Sequence, residues 1–517
     1  MTPSTPALPV PVQSSHWNPT PAELRDRIAS QHGALPTATG TYSITTRVKS
    51  RIPEATFILP GTDGRAKGPH LSAEMASRIR RAQDEHLSTK EVFVLDGLIG
   101  GSSPLQGRVR LIADASYPHL AAMQQILHFP TWQEVDPTLP PCTVIVTPDC
   151  AAPGIPGGKA VLVDLATRTT RILGSDYFGE VKKAGFRHWN AAVYDAGGLA
   201  LHAGCKVIPT GGDEATVLVI GMSGTGKTTT TFADVHGSLP VQDDFVGLLP
   251  GGTVIAGENG CFAKVTGLDP KQEPAVHAAA LHKDTLFENV ALDASGMPDF
   301  QDDSLSDNGR ATFSLASLPA VRDARTIEPV GTIVILNRSS TILPAIARCT
   351  SVEGAAYFML GETEGTAAGG VTEDGKFLHV PGTNPFFPYP DALQGNRFRE
   401  IVTGMDCSIL LCNTGSIGGP AGNERKKMTV ATSTACIAGA VDGTISWTRD
   451  PDFGYDTAVS CPGVEDGELL APLALYARTG RSAAYSETVT MLLHERRATL
   501  GRYPGLDRDL QAALDGH

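Results

Sequence analysis

At 517 residues the chain is too long for one typical hydrophobic core and implies two large domains. Its 41% hydrophobic and 19% charged content is that of a soluble globular protein. A net charge of −13 argues against a general nucleic-acid or membrane-surface binder, and no apolar run approaches the length of a membrane span.

The first twenty residues, MTPSTPALPVPVQSSHWNPT, are rich in Pro, Ser and Thr. Residues 1–20 read as a disordered or extended tail. A short helix is predicted at PAELRDRIASQHG, with Pro21 near its start and Gly33 past its end. From about residue 90 to 172 the chain is strand-rich. EVFVLDGLIG, RVRLIAD, CTVIVTPD and AVLVDL are apolar or alternating runs, and PHLAAMQQILHF between them has helical spacing. The Gly-rich YDAGGLALHAG follows, and a domain boundary is placed close to residue 200. That divides the chain into 21–200 and 201–517. In the second part TVLVIG, TIVILN and CSILLCNTG read as strands, and the tail from Glu468 reads as mostly helical. The fold class is α/β, mixed with α+β, with mixed sheets. Nine cysteines without CxxC pairs read as reduced thiols in a cytoplasm, and no signal peptide is read at the start.

VLVIGMSGTGKTTTTF contains the most specific motif. Gly221, Met222, Ser223, Gly224, Thr225, Gly226, Lys227 and Thr228 fit G-x-x-x-x-G-K-[ST] between a strand and a predicted helix. The glycines let backbone N–H groups turn inward around phosphate oxygens. The following helix points its positive end at the same anion. Lys227 is expected on the β- and γ-phosphates, and Thr228 on Mg²⁺. Asp243 and Asp244 follow sixteen and seventeen residues after Lys227, and one of them is expected to hold Mg²⁺ through water. Nucleoside triphosphate binding follows.

GMSGTGKTTT resembles the nucleotide loop of the ATP-dependent phosphoenolpyruvate carboxykinase family. Other segments follow in that family's order: SDYFGEVKKAGF, GLALHAGCKV, GENGCFAKVTGL, HKDTLFENVALD, TIVILNRSSTILPAIARCT and CNTG. The resemblance runs from about residue 36 to the C-terminus. It implies a two-domain carboxykinase-like fold. Residues 21–200 would form the substrate side, and 201–517 a P-loop nucleotide-binding domain.

The resemblance also implies the reaction. Oxaloacetate loses CO₂ to give an enolate, which takes the γ-phosphoryl of ATP to become phosphoenolpyruvate, a step of gluconeogenesis. Lys183, His202 and Asp244 are then ligands of Mn²⁺ on the enolate side. A ligating lysine must be neutral, and Lys182 beside it would depress its pKa. Arg310 falls between substrate and γ-phosphate, Arg51 clamps the substrate carboxylate, and Tyr177 lies at the CO₂ side. Lys264 adds positive charge nearby. Thr229, Glu273, Lys427 and Ser433 are expected around the nucleotide. The expected partners are ATP and a small acid, with no nucleic acid and no membrane, and the protein is expected to act as a monomer.

Departures from the family gather on the substrate side. SRIPEAT keeps Arg51 and loses the family's lysines. DDFVGL, LSDNGR and NTGS differ from the family segments, Lys427 replaces an arginine, and Asn259 replaces a glycine. Three functions fit this set. The first is the carboxykinase reaction itself. The second is a carboxykinase-like kinase with another oxo-acid or hydroxy-acid acceptor. The third is a protein that binds the nucleotide without turnover.

Overall fold

The computed structural model describes residues 7–102, 105–129, 141–222, 224–364, 377–419 and 424–514. The fold is mixed α/β, built on two large sheets. The first has seven strands, in the order Ser14–Trp17, Glu91–Ile99, Gly107–Asp114, Cys142–Thr147, Thr169–Leu173, Ala160–Asp164 and Thr56–Leu59. Its central strand, Cys142–Thr147, is buried at every residue, so an unbroken apolar run forms it.

Of the two expectations for the N-terminal tail, the described residues take the extended one and not disorder. Residues 1–6 lie outside the described residues. Ser14–Trp17 pairs in parallel with Glu91–Val94 on the sheet edge. Val10 packs with Leu87 and Val92, and the Arg110 guanidinium lies 4.7 Å from the Trp17 ring. The apolar residues between the prolines supply the burial that composition alone conceals. The helix Pro21–Ile28 then starts on a capping box of Thr20 and Glu23, with Pro21 in its first turn.

The second large sheet has eight strands. At its centre Asp213–Ile220, Val330–Asn337 and Ser408–Asn413 run parallel, and their C-terminal ends lie side by side. A five-stranded sheet joins Gly260–Lys264, Arg310–Ser314 and Leu286–Glu288 to Tyr42–Ile44 and Ala34–Pro36. It therefore draws strands from both sides of residue 200.

The helix Phe178–Asp195 is one of several helices that the sequence reading does not find, and the one that bears on the site. Its first thirteen residues, Phe178 to Asn190, are all buried. A helix covered on all sides carries no polar stripe and no 3.6-residue alternation. Gly179 and Gly185 weaken the signal further. Packed against the first sheet, this helix carries Lys182, Lys183 and Arg187 towards the second.

Candidate functional site

The three parallel strands of the second sheet end at one edge, the usual place for a ligand in an open α/β sheet. Ile220 leads directly into the glycine loop there. Gly226 has φ +89°, a left-handed conformation that favours glycine, and it caps the helix Lys227–Phe232. Thr225 Oγ1 donates to the Met222 carbonyl at 2.8 Å, closing the loop on itself. Thr414, from CNTG at the end of the strand Ser408–Asn413, two places away in the sheet, donates its hydroxyl to the Thr225 carbonyl at 2.7 Å. Ser223 lies outside the described residues.

The short helix is fixed at its far end by Lys206. Its Nζ donates to the carbonyls of Ala233, at 2.6 Å, and Thr230, at 3.1 Å. A cation at a helix C-terminus complements the dipole. The side chain is almost wholly buried, and burial pulls its pKa down to about 8.

The loop opens on a cavity of about 310 Å³. Asp244 is the centre of its polar floor. Oδ2 bonds Lys182 Nζ at 2.9 Å and also bonds Lys183 Nζ. Oδ1 faces His202 Nε2 at 2.9 Å and Lys227 Nζ at 2.6 Å. The other ring nitrogen of His202 faces the Thr383 carbonyl at 3.0 Å, which directs Nε2 to Asp244. Four basic groups around one carboxylate hold it well below its usual pKa, against the opposing effect of burial.

The two adjacent lysines differ. Burial alone would lower Lys182, but Asp244 and Glu258, the latter at 2.7 Å, outweigh it and raise its pKa. Lys183 has Asp244 alone within reach. Burial, reinforced by the Lys182 charge, brings it down to about 7. Burial also lowers His202, to about 3, with Lys227 adding to the effect. Glu258 is raised to about 7 by burial, against Lys182.

The donors suit a divalent cation in one respect that geometry decides. Asp243 is buried beside Asp244, and its Oδ1 has no hydrogen-bond partner among the described residues. An unpartnered buried carboxylate oxygen on a residue that lines the cavity fits a cation or a water there. Lys183 and His202, both neutral above pH 7, offer lone pairs beside Asp244. No cluster of three His, Cys, Asp or Glu side chains occurs among the described residues. The set therefore depends on a lysine nitrogen and on hydroxyls such as that of Thr228.

The cavity lining is also cationic and aromatic. Arg310 opens the strand Arg310–Ser314, and its guanidinium lies 5.3 Å from the Phe262 ring. Its Nε and Nη2 donate to Asn308 Oδ1 at 3.0 and 2.7 Å. Asn308 Nδ2 donates in turn to the Tyr177 hydroxyl at 3.1 Å and to the Lys49 carbonyl at 2.9 Å. One amide therefore fixes both Tyr177 and Arg310. A Cβ on Gly179 would stand 2.3 Å from the Tyr177 ring, so a larger residue there would displace it. Arg51 stands 4.9 Å from the ring of Phe386.

Most of the expected residues meet here. Arg51, Tyr177, Lys183, His202, Met222, Gly224, Gly226, Lys227, Thr228, Thr229, Asp243, Asp244, Lys264, Glu273 and Arg310 line the one cavity. Thr229 donates to Glu273 at 2.6 Å, within it. Gly221 and Thr225 stand behind the loop and do not line the cavity. Lys427, on an exposed strand, and Ser433, buried in the helix Val430–Val441, are also outside its lining. Sequence reasoning missed Asn308, Phe386, Phe262, Glu258 and Lys206. Each has its meaning only through a partner distant in the sequence. The position of Asn308 two residues before Arg310 was the sole local signal.

The chain matches the family model described as phosphoenolpyruvate carboxykinase over residues 13–467. It belongs to the phosphoenolpyruvate carboxykinase family. Relatives named phosphoenolpyruvate carboxykinase (ATP) identify the branch. The one from Mesorhizobium japonicum is 31% identical over 464 residues, covering 86% of this chain and 83% of the relative. That from Brucella melitensis is 31% identical over 403 residues, covering 76% and 74%. That from Methylobacterium nodulans is 29% identical over 500 residues, covering 93% and 90%.

Proposed function

We propose that the chain is an ATP-dependent phosphoenolpyruvate carboxykinase, which converts oxaloacetate and ATP to phosphoenolpyruvate, ADP and CO₂. One observation carries the reading. Lys183, His202 and Lys227 converge on Asp244, in a cavity that Arg51 and Arg310 also line. A protein that only binds or hydrolyses a nucleotide has no use for a carboxylate clamp such as Arg51.

In this reading the loop amides and Lys227 hold the phosphates. Thr228 and Asp243 hold Mg²⁺ there, and Lys183, His202 and Asp244 hold Mn²⁺. These cations supply charge stabilisation at the phosphates and at the developing enolate oxygen. Arg51 grips the substrate carboxylate with two parallel N–H bonds. Arg310, held by Asn308, sits between substrate and γ-phosphate, and Lys264 adds charge. Tyr177 flanks the departing CO₂. Phe262 and Phe386 keep water from a reacting enolate that would otherwise be protonated to pyruvate. Glu273 approaches the nucleotide through Thr229, and Lys427 and Ser433 belong to its outer surroundings. The reading also takes the chain as cytoplasmic, on its nine unbridged cysteines, and as a monomer, on the family resemblance. No described helix is long and apolar enough to cross a membrane.

The test is metal activation. Lys183→Met and His202→Ala are expected to lose Mn²⁺ activation and to retain Mg·ATP binding, whereas Lys227→Ala loses both. Full Mn²⁺-dependent turnover in the first two variants would contradict the assignment.

A further inference from the structure

Arg187 lies one helical turn beyond Lys183 on Phe178–Asp195, so the two side chains leave the helix on one face. Glu180, two turns before Arg187, shares that face. Glu180 is fully buried and Arg187 is 4% exposed. Arg187 Nη2 stands 3.6 Å from Glu180 Oε2. The other carboxylate oxygen of Glu180 accepts the backbone N–H of Ile52 at 2.7 Å. Ile52 directly follows Arg51.

The same two arginines meet again at a ring. Arg187 lies 5.6 Å from the centre of Phe386, Arg51 4.9 Å and Lys183 Nζ 4.7 Å. Arg187 Nη1 is buried and has no hydrogen-bond partner among the described residues. Arg187 is not among the residues that line the cavity, whereas Arg51 and Phe386 are. The helix thus holds Arg51 at two points. Glu180 holds the backbone next to it, at Ile52, and the Phe386 ring lies against its guanidinium. Arg187 supports both, because it pairs the otherwise lone Glu180 charge and occupies Phe386. A buried carboxylate that loses its only cation is strongly destabilised and moves or takes up a proton.

We propose that Arg187 is a positioning residue for Arg51 and through it sets the affinity for the carboxylate substrate. This rests on the reading of Arg51 as the carboxylate clamp. Arg187 does not line the cavity that the glycine loop opens on, so its effect is expected on the acid side alone. Pairing with Glu180 offsets only one of the two guanidinium charges at Phe386. A substrate carboxylate at Arg51 supplies the second negative charge.

The experiment compares wild type with Arg187→Met, Arg187→Lys and Phe386→Leu. Oxalate binding is measured by calorimetry on the protein loaded with Mg·ATP, and kcat and KM are measured with oxaloacetate. Arg187→Met is expected to raise the oxalate Kd and the oxaloacetate KM about tenfold, with the ATP KM changed less than twofold. Arg187→Lys recovers part of the loss, and Phe386→Leu reproduces it, which keeps the proposal open to test if Arg187→Met does not fold. Acid and nucleotide constants that worsen together would show a merely structural role and overturn the proposal. An unchanged oxalate Kd in a folded Arg187→Met would also overturn it, whatever Phe386→Leu shows. If the wild type binds oxalate but forms no phosphoenolpyruvate, the proposed reaction fails. The inference then still stands on the Arg187→Met loss of oxalate affinity, and falls without it.

Discussion

Lys182 and Lys183 are neighbours on one helix and both reach Asp244 Oδ2, yet their surroundings move them in opposite directions. Burial acts on both. Lys182 has a second carboxylate, Glu258, and stays charged, whereas Lys183 shares one carboxylate with three other basic groups and falls to about 7. A lysine can serve as a metal ligand only when neutral, and this pairing makes one of the two neutral near physiological pH.

The first prediction follows from that pair. A proton and a cation compete for Lys183 Nζ, so Mn²⁺ affinity falls as pH drops below about 7 and levels off above it. Lys182→Met removes a positive charge that helps depress Lys183. The Lys183 pKa then rises, and the affinity step moves to higher pH. The Mn²⁺ activation constant measured against pH in both proteins checks this. A step that stays in place or moves to lower pH contradicts it.

Glu288 gives a stability prediction. It is fully buried, its Oε1 accepts the Phe178 N–H at 2.8 Å, and burial raises its pKa to about 8. The folded pKa is above the unfolded one, so the folded state binds more protons between them. Stability from this group is complete below about 4.5 and is lost as pH rises through about 8. Glu288→Gln keeps the acceptor and cannot ionise. Urea melts across pH 5 to 9 should show wild type losing stability relative to the variant. Parallel curves would refute the account.

Thr414 ties the glycine loop to the end of the strand Ser408–Asn413 through a single hydrogen bond to the Thr225 carbonyl. Thr414→Val removes that bond and retains the shape. About 1 kcal/mol of loop support is lost, or roughly a fivefold rise in the ATP KM. The oxaloacetate KM is expected to hold. A rise in the oxaloacetate KM alone would place Thr414 on the wrong side of the site.

The sequence reveals those parts of the structure whose signals are local. Glu91–Ile99, Cys142–Thr147 and Asp213–Ile220 are short apolar runs and form strands where the pattern puts them. The glycine loop is contiguous, so its motif is complete without the fold. Phe178–Asp195 escapes notice because its first part is buried on every side, and periodicity needs a wet face. The anchoring of Val10 and Ser14–Trp17 escapes because it depends on Leu87 and Glu91, far along the chain. Asn308, Glu258 and Phe386 are ordinary residues in one dimension. Their roles arise from contacts with Tyr177, Lys182 and Arg51, which only the folded chain brings near. The segment SRIPEAT looks like a damaged motif in the sequence. In the fold its Ile52 amide is bound by Glu180, and Arg51 still lines the cavity.

The most direct measurement is product stoichiometry. Purified protein is given oxaloacetate, ATP, Mg²⁺ and Mn²⁺, and phosphoenolpyruvate, ADP and CO₂ are quantified together. The account predicts equal amounts of all three, with turnover lost in Lys183→Met. ADP formed without phosphoenolpyruvate, or CO₂ accompanied by pyruvate alone, would contradict it.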